Sequence, residues 1–202
     1  MFTGIIEATG KILSFERNAS SAILNIDSSK LLRPLKKGDS VSIDGVCLTV
    51  SRKSAKHIAF DVSAETIRRT NLSRKSAGEF VNLELPMTAN TLLSGHLVQG
   101  HVEGVGRVRR WHRKQNDVQL FVDLPKNLLI YCVPKGSISI NGVSLTIASI
   151  KGRTIGIALI PFTLSHTNLN DLIVGDLVNI ETDMIGRYVV SVLKKTYDKS
   201  ET

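Results

Sequence analysis

Two ten-residue stretches hold the first residues with chemical potential. VSIDGVCLTV spans residues 41–50, and ISINGVSLTI spans residues 138–147. Side chains of an extended strand alternate between its two faces. Val46, Leu48 and Val50 therefore share one face, with Cys47 and Thr49 on the other; Val143, Leu145 and Ile147 are likewise set against Ser144 and Thr146. Each stretch thus offers a core-facing apolar row and a small polar pair. A thiol or hydroxyl needs a base nearby to become a nucleophile or to pass a proton, and neither stretch contains one. The plain alternative is a solvated strand face, which often carries Ser and Thr.

Bases must come from elsewhere. SGHLVQGHVEG (94–104) holds His96 and His101. Five residues apart, they fall on opposite faces of one strand and miss the i, i+4 spacing of a helical metal pair. The imidazole of His101 is the candidate base, since histidine titrates near neutral pH and suits proton transfer, although a lone histidine is more often structural. Asp61 and Asp183 are candidate partners for it, or simple capping and solvated groups. The chain has no GxxxxGK[ST] and no GxGxxG opening a helix, so no nucleotide cofactor and no metal are implied.

The elements that position these groups follow from a repeat. A displacement of 97 residues superimposes Cys47 on Ser144, Thr66 on Thr163, Thr70 on Thr167, and GEFVNLE (78–84) on GDLVNIE (175–181). GIIEATGKI (4–12) matches GHVEGVGRV (100–108) at a displacement of 96. His101 then stands where the first copy has Ile5, so that ionisable group belongs to one copy only. The chain divides near residue 96 into units 1–96 and 97–193, with a tail at 194–202.

Each half reads as about six short strands, which predicts a small closed barrel. GIIEATGKI alternates as a half-buried strand does. Asp44-Gly45 and Asn141-Gly142 mark tight hairpin turns. SAETIRRTNL and PFTLSHTNL predict one or two helical turns each. Near the C-terminus, Ile185, Tyr188, Val189, Val192 and Leu193 follow helical spacing, so an amphipathic helix is expected over about 185–198. Its apolar face either packs on its own barrel or meets copies of itself.

Composition sets bounds on function. Apolar residues make up 42% and charged residues 22% of 202, as in ordinary folded proteins. No apolar run approaches the roughly 18 residues of a membrane helix, and MFTGIIEATG is not built as a signal peptide. The formal charge of +8 invites a nucleic-acid reading, but aromatics reach only 5%. The basic pairs Arg68-Arg69, Arg74-Lys75, Arg109-Arg110, Arg113-Lys114 and Lys194-Lys195 are scattered over segments that read mostly as turns or helices, so solvated surface charge is expected. Cys47 and Cys132 form no CxxC, which suits a reduced, cytoplasmic protein.

MFTGIIE at the N-terminus, DGVCLTV, GHLVQGHVEG, NGVSLTI and IPFTLSHTNL together resemble the riboflavin synthase family of the α-chain type, in order and spacing over essentially the whole chain. The resemblance implies an all-β fold of two tandem six-stranded Greek-key β-barrels plus a C-terminal α-helix. It implies a reaction in which two molecules of 6,7-dimethyl-8-ribityllumazine exchange a four-carbon unit, giving riboflavin and 5-amino-6-ribitylaminouracil, with no cofactor. It also implies a homotrimer with active sites between subunits, the C-terminal helix being the contact, and raises association with lumazine synthase. No nucleic-acid or membrane partner is implied. A non-catalytic lumazine or flavin carrier of the same fold is the alternative.

Carried over position by position, the resemblance assigns Gly4, Ile5, Ile6, Cys47, Leu48, Thr49, Asp61, Val62, Ser63, Ala64, Glu65 and Thr66 to a first substrate pocket. It assigns Gly100, His101, Val102, Ser144, Leu145, Thr146, Ile160, Pro161, Phe162, Thr163, Leu164 and Ser165 to a second, with Lys135 reaching in from an adjacent chain. Cys47, His101, Ser144, Thr146 and Asp183 are the implied catalytic residues, with Phe2 and Thr3 closing over a pocket.

Overall fold

The computed structural model describes residues 1–18, 21–27, 35–114 and 117–198. Among the described residues, twelve strands form two closed barrels. The first barrel comprises β1 (Ala8–Arg17), β2 (Ser21–Asp27), β3 (Ser40–Ile43), β4 (Val46–Lys53), β5 (His57–Ser63) and β6 (Phe80–Glu84). The second comprises β7 (Gly104–Lys114), β8 (Asp117–Asp123), β9 (Ser137–Ile140), β10 (Val143–Lys151), β11 (Thr154–Leu159) and β12 (Leu177–Thr182). Both close antiparallel in one order, β1-β2-β5-β4-β3-β6 and its image β7-β8-β11-β10-β9-β12, the expected Greek-key crossover.

Alternation drives closure. Ala22, Leu24 and Ile26 of β2 and Val46, Leu48 and Val50 of β4 point into the first core; Val143, Leu145 and Ile147 of β10 point into the second. Bulges in β1, β4, β7 and β10 bend the strands where a small barrel must turn. Short helices α1 (Ala64–Arg69) and α2 (Pro161–His166) each precede the sixth strand of their barrel, and α3 (Met184–Asp198) ends the described chain.

Three expectations are corrected. The strand expected from Gly4 begins at Ala8, and its twin begins at Gly104. The reason is that the residues just before each first strand leave their own barrel for the other. Phe2 and Val98 form an antiparallel bridge, and Ile6 packs against the second core while Val102 packs against the first. Phe2 and Thr3, expected as a lid, are instead buried between the barrels. Finally, Arg109-Arg110 and Arg113-Lys114 lie on strand β7.

The barrels meet at their hairpin tips. Asp44 and Gly45 have φ of 46° and 79°, and Asn141 and Gly142 have 47° and 80°, the left-handed pair of a type I′ turn. A Cβ on Gly45 would sit 2.7 Å from the Gly142 backbone nitrogen, so the two tips touch backbone to backbone. Around them runs a reciprocal buried network. Asn71 N donates to Asn179 Oδ1 and Asn168 N to Asn82 Oδ1, both at 2.7 Å. Asn82 Nδ2 donates to Asn141 O at 2.9 Å and Asn179 Nδ2 to Asp44 O at 2.8 Å. Every buried amide here finds a partner across the interface, as burial of polar groups demands. Asp44 is the one carboxyl of this network; burial pushes it up from the ordinary value, against the pull of Lys75 at 3.6 Å.

Helix α3 leaves its apolar face uncovered. Ile185, Tyr188, Val189, Val192 and Leu193 remain 50–65% exposed, so packing on its own barrel is excluded for this face.

Candidate functional site

The polar pairs stand where alternation places them. Cys47 and Ser144 are half-buried and Thr49 and Thr146 exposed, at equivalent positions of β4 and β10. Leu48, Leu145 and Val62 turn their side chains into the cores.

The crossing segments reorganise the expected pockets. Ser144 N donates to Gly4 O at 2.8 Å, and Cys47 N donates to Gly100 O at 2.9 Å. Gly4–Ile6 therefore lie with Ser144, and Gly100–Val102 with Cys47, the reverse of the grouping drawn from the sequence. The glycines are needed at both junctions. Their φ values are +75° and +79°, and a Cβ would come within 2.6 Å of the Ser144 or Cys47 Cβ. A linear repeat cannot reveal this exchange, because it pairs each segment with the strand in its own half.

Exchange also redistributes the histidines. His101 and Ser144 do not meet within one chain: His101 is exposed, beside Gly100 at the Cys47 pocket. Ser144 has a different partner. His96 Nδ1 lies 2.7 Å from Ser144 Oγ. His96 is 8% exposed, and among the described residues its Nε2 has no hydrogen-bond partner. Burial depresses its pKa, opposed by the charge of Asp183, so the imidazole stays neutral at physiological pH. Sequence reasoning considered His96 only as half of a metal pair; the missed signal is its place on the same crossing segment as His101. Asp183 joins this pocket through its charge, while its Oδ1 accepts from Ile185 N at 3.0 Å at the start of α3.

The remaining candidates flank these centres. Asp61 is exposed at the end of β5. Ser63 caps α1 by accepting from Thr66 N at 3.1 Å, followed by the half-buried Ala64. Glu65 forms surface ion pairs with Arg68 and Arg69. In the second barrel, Ile160 and Phe162 are 61% and 62% exposed, and Phe162 stacks on His166. Pro161 starts α2, Ser165 Oγ donates to the Phe162 carbonyl, and the partly buried Leu164 packs on the core beside Thr163. Lys135 is exposed in the turn before β9, its N–H on Ile147 O at 2.7 Å.

Thus each barrel presents an open face with a polar strand pair, a helical turn and a histidine from the interbarrel segment. A surface cavity of about 990 Å³ lies elsewhere, lined by Arg109, Arg110, Phe121 and Arg153. The other thiol, Cys132, is pushed up to about 11 by burial and plays no nucleophilic part at neutral pH.

Residues 3–86 and 99–183 each match the lumazine binding domain, so the fold and the paired sites define a class: the chain belongs to the lumazine-binding domain family. It is 42% identical over 195 residues to the riboflavin synthase of Bacillus subtilis (strain 168), covering 96% of this chain and 91% of that protein. It is 36% identical over 203 residues to the riboflavin synthase of Actinobacillus pleuropneumoniae, covering 100% of this chain and 94% of that one. Among solved structures, LumP complexed with riboflavin superimposes with a TM-score of 0.84 at 31% identity, covering 90% of this chain and 99% of that chain. LumP complexed with 6,7-dimethyl-8-(1'-D-ribityl) lumazine gives 0.82 at 29% identity over the same shares.

Proposed function

We infer that the protein is a riboflavin synthase. It converts two molecules of 6,7-dimethyl-8-ribityllumazine into riboflavin and 5-amino-6-ribitylaminouracil by moving a four-carbon unit from one to the other. The observation that carries this reading is the pair of related but unlike pockets, one built on Cys47 and Thr49 and one on Ser144 and Thr146. A reaction between two copies of one compound needs two similar sites with different tasks. Each half, 1–96 and 97–193, supplies the strand pair of one site and a crossing segment to the other.

In this reading the strand pairs and the turns at Asp61–Thr66 and Ile160–Ser165 hold the two ring systems, with Lys135 extended toward a neighbouring subunit's site. Holding both rings converts a bimolecular encounter into an effectively unimolecular step. The donor's ring methyl is acidic because its carbanion delocalises, so a modest base suffices. Neutral His96, hydrogen-bonded to Ser144 and faced by Asp183, is suited to accept that proton. His101 serves the Cys47 pocket in the same way.

The two pockets of one chain lie on different barrels, so their ligands meet face to face between subunits. The uncovered face of α3 supports a homotrimer that brings them together, and the free cysteines suit a cytoplasmic protein. Association with lumazine synthase belongs to the same reading and is tested by co-sedimentation.

The main test mixes the purified protein with the lumazine and follows riboflavin absorbance. Turnover is expected; tight binding without turnover would make the protein a carrier. Deleting residues after Gly186 is expected to yield monomers in light scattering and to abolish turnover.

A further inference from the structure

We propose that Glu84 and Glu181 are positioning residues that act across the barrel boundary, Glu181 of the second barrel shaping the pocket of the first and Glu84 of the first shaping that of the second. Glu84 is the last residue of β6 and Glu181 the next-to-last of β12, and they are only 3% and 2% exposed. Glu181 Oε1 accepts from Gln99 N at 2.7 Å, and its Oε2 accepts from Gly100 N and His101 N, both at 2.9 Å. Glu84 Oε1 accepts from Thr3 N at 2.6 Å and Thr3 Oγ1 at 2.7 Å, and its Oε2 from Gly4 N at 3.0 Å. These are the segments whose next carbonyls, Gly100 O and Gly4 O, receive Cys47 N and Ser144 N.

The chemistry singles out a carboxylate. An ionised carboxylate is acceptor-only, so it can take three converging donors; an amide would turn N–H against N–H at one position. Burying such a group is costly unless it is bonded in this way. Burial pushes the Glu181 carboxyl up from its ordinary value; the three backbone donors and the charge of Arg187 oppose this, and Arg187 also donates to Gln99 Oε1. The result is a rigid splint. Two hydrogen-bonded joints, carboxylate to segment and segment to hairpin, fix the crossing chain between barrels. Through Glu181 the splint sets where His101 enters the Cys47 pocket.

The prediction is specific because it is crossed. Cys47 alkylation by iodoacetamide reports on the first pocket, since the Cys132 thiol is pushed up to about 11. Ser144→Cys in a Cys47→Ser background reports on the second. In the full-length protein, Glu181→Gln is expected to raise the Cys47 labelling rate about tenfold as its cover loosens. It should leave labelling of the thiol introduced by Ser144→Cys within about twofold; Glu84→Gln is expected to do the reverse. Gly100→Ala, which breaks the same docking without touching the carboxylate, should mimic Glu181→Gln. If Glu181→Gln fails to fold, Glu181→Asp and Gly100→Ala carry the test.

This proposal deepens the synthase reading, and there Glu181→Gln should lower kcat about 100-fold with a smaller change in KM, the Asp variant recovering part. Labelling needs no turnover, so an inactive wild-type protein would sink the synthase reading and leave the splint testable. Equal labelling of both probes in each variant, or no change in either, overturns the proposal.

Discussion

The two barrels share one fold and one strand order, yet they differ at a few positions that matter. Cys47 faces Ser144, Ile5 faces His101, and Asp44 faces Asn141 across the repeat. In sequence, the second copy has an imidazole that the first lacks. In three dimensions the imbalance disappears: the segment 96–101 sends His96 to Ser144 and His101 to the Cys47 pocket. One histidine meets Ser144 and the other follows the glycine docked on Cys47, in different settings. His96 is buried and neutral; His101 is exposed. The lesson is that duplicated domains need not diverge within their own boundaries. A shared connecting segment can carry the differences to both.

The sharpest way to test this comparison is to remove each histidine. His101→Ala and His96→Ala are each expected to slow turnover about a thousandfold while weakening lumazine binding far less; steady-state kinetics and titration check it. An unchanged rate in one variant would assign proton transfer to the other pocket alone.

The buried charge offers the next break. Asp44 is accompanied by Lys75, whereas Asn141 has Leu172 at the position equivalent to the lysine. Asn141→Asp should therefore cost about 3 kcal/mol in urea denaturation, being a buried charge without a partner. Asp44→Asn should stay within about 1 kcal/mol of wild type, because Asn141 shows that an amide fits this network. Comparable losses in both would mean the asymmetry has another origin.

The crossing glycines should behave alike. Gly4→Ala and Gly100→Ala each place a Cβ 2.6 Å from a Cβ of the facing hairpin. Each is expected to cost about 2 kcal/mol. A difference of more than about 1 kcal/mol would show that one docking holds less tightly.

The smallest effect is in pH. The folded protein holds His96 below its ordinary 6.5, so below that value the unfolded chain binds more protons. Stability therefore falls as pH drops from about 6.5 toward the folded pKa, and is fully present above 6.5. His96→Asn should flatten this limb by about 1 kcal/mol or less, measured as the urea midpoint against pH.

Much of the architecture was legible because it is local. Alternation in VSIDGVCLTV and ISINGVSLTI sorted core from polar face residue by residue, and Asp-Gly and Asn-Gly announced the turns. Helical spacing located α3 to within one residue of its observed start. What those segments touch was not legible. The strand expected at Gly4 stops short because Gly4 and Gly100 dock on the opposite barrels, and hydrogen bonds between residues 140 or 53 positions apart leave no periodic trace.

The sequence by itself determined the duplication, the barrels, and which side chains on β4 and β10 are free for chemistry, since strand alternation and turn propensity act over a few residues. Only the tertiary structure decided which residues share a pocket. That depends on the two barrels meeting tip to tip at Gly45 and Gly142, and on buried Glu84 and Glu181 holding each crossing segment against the other half.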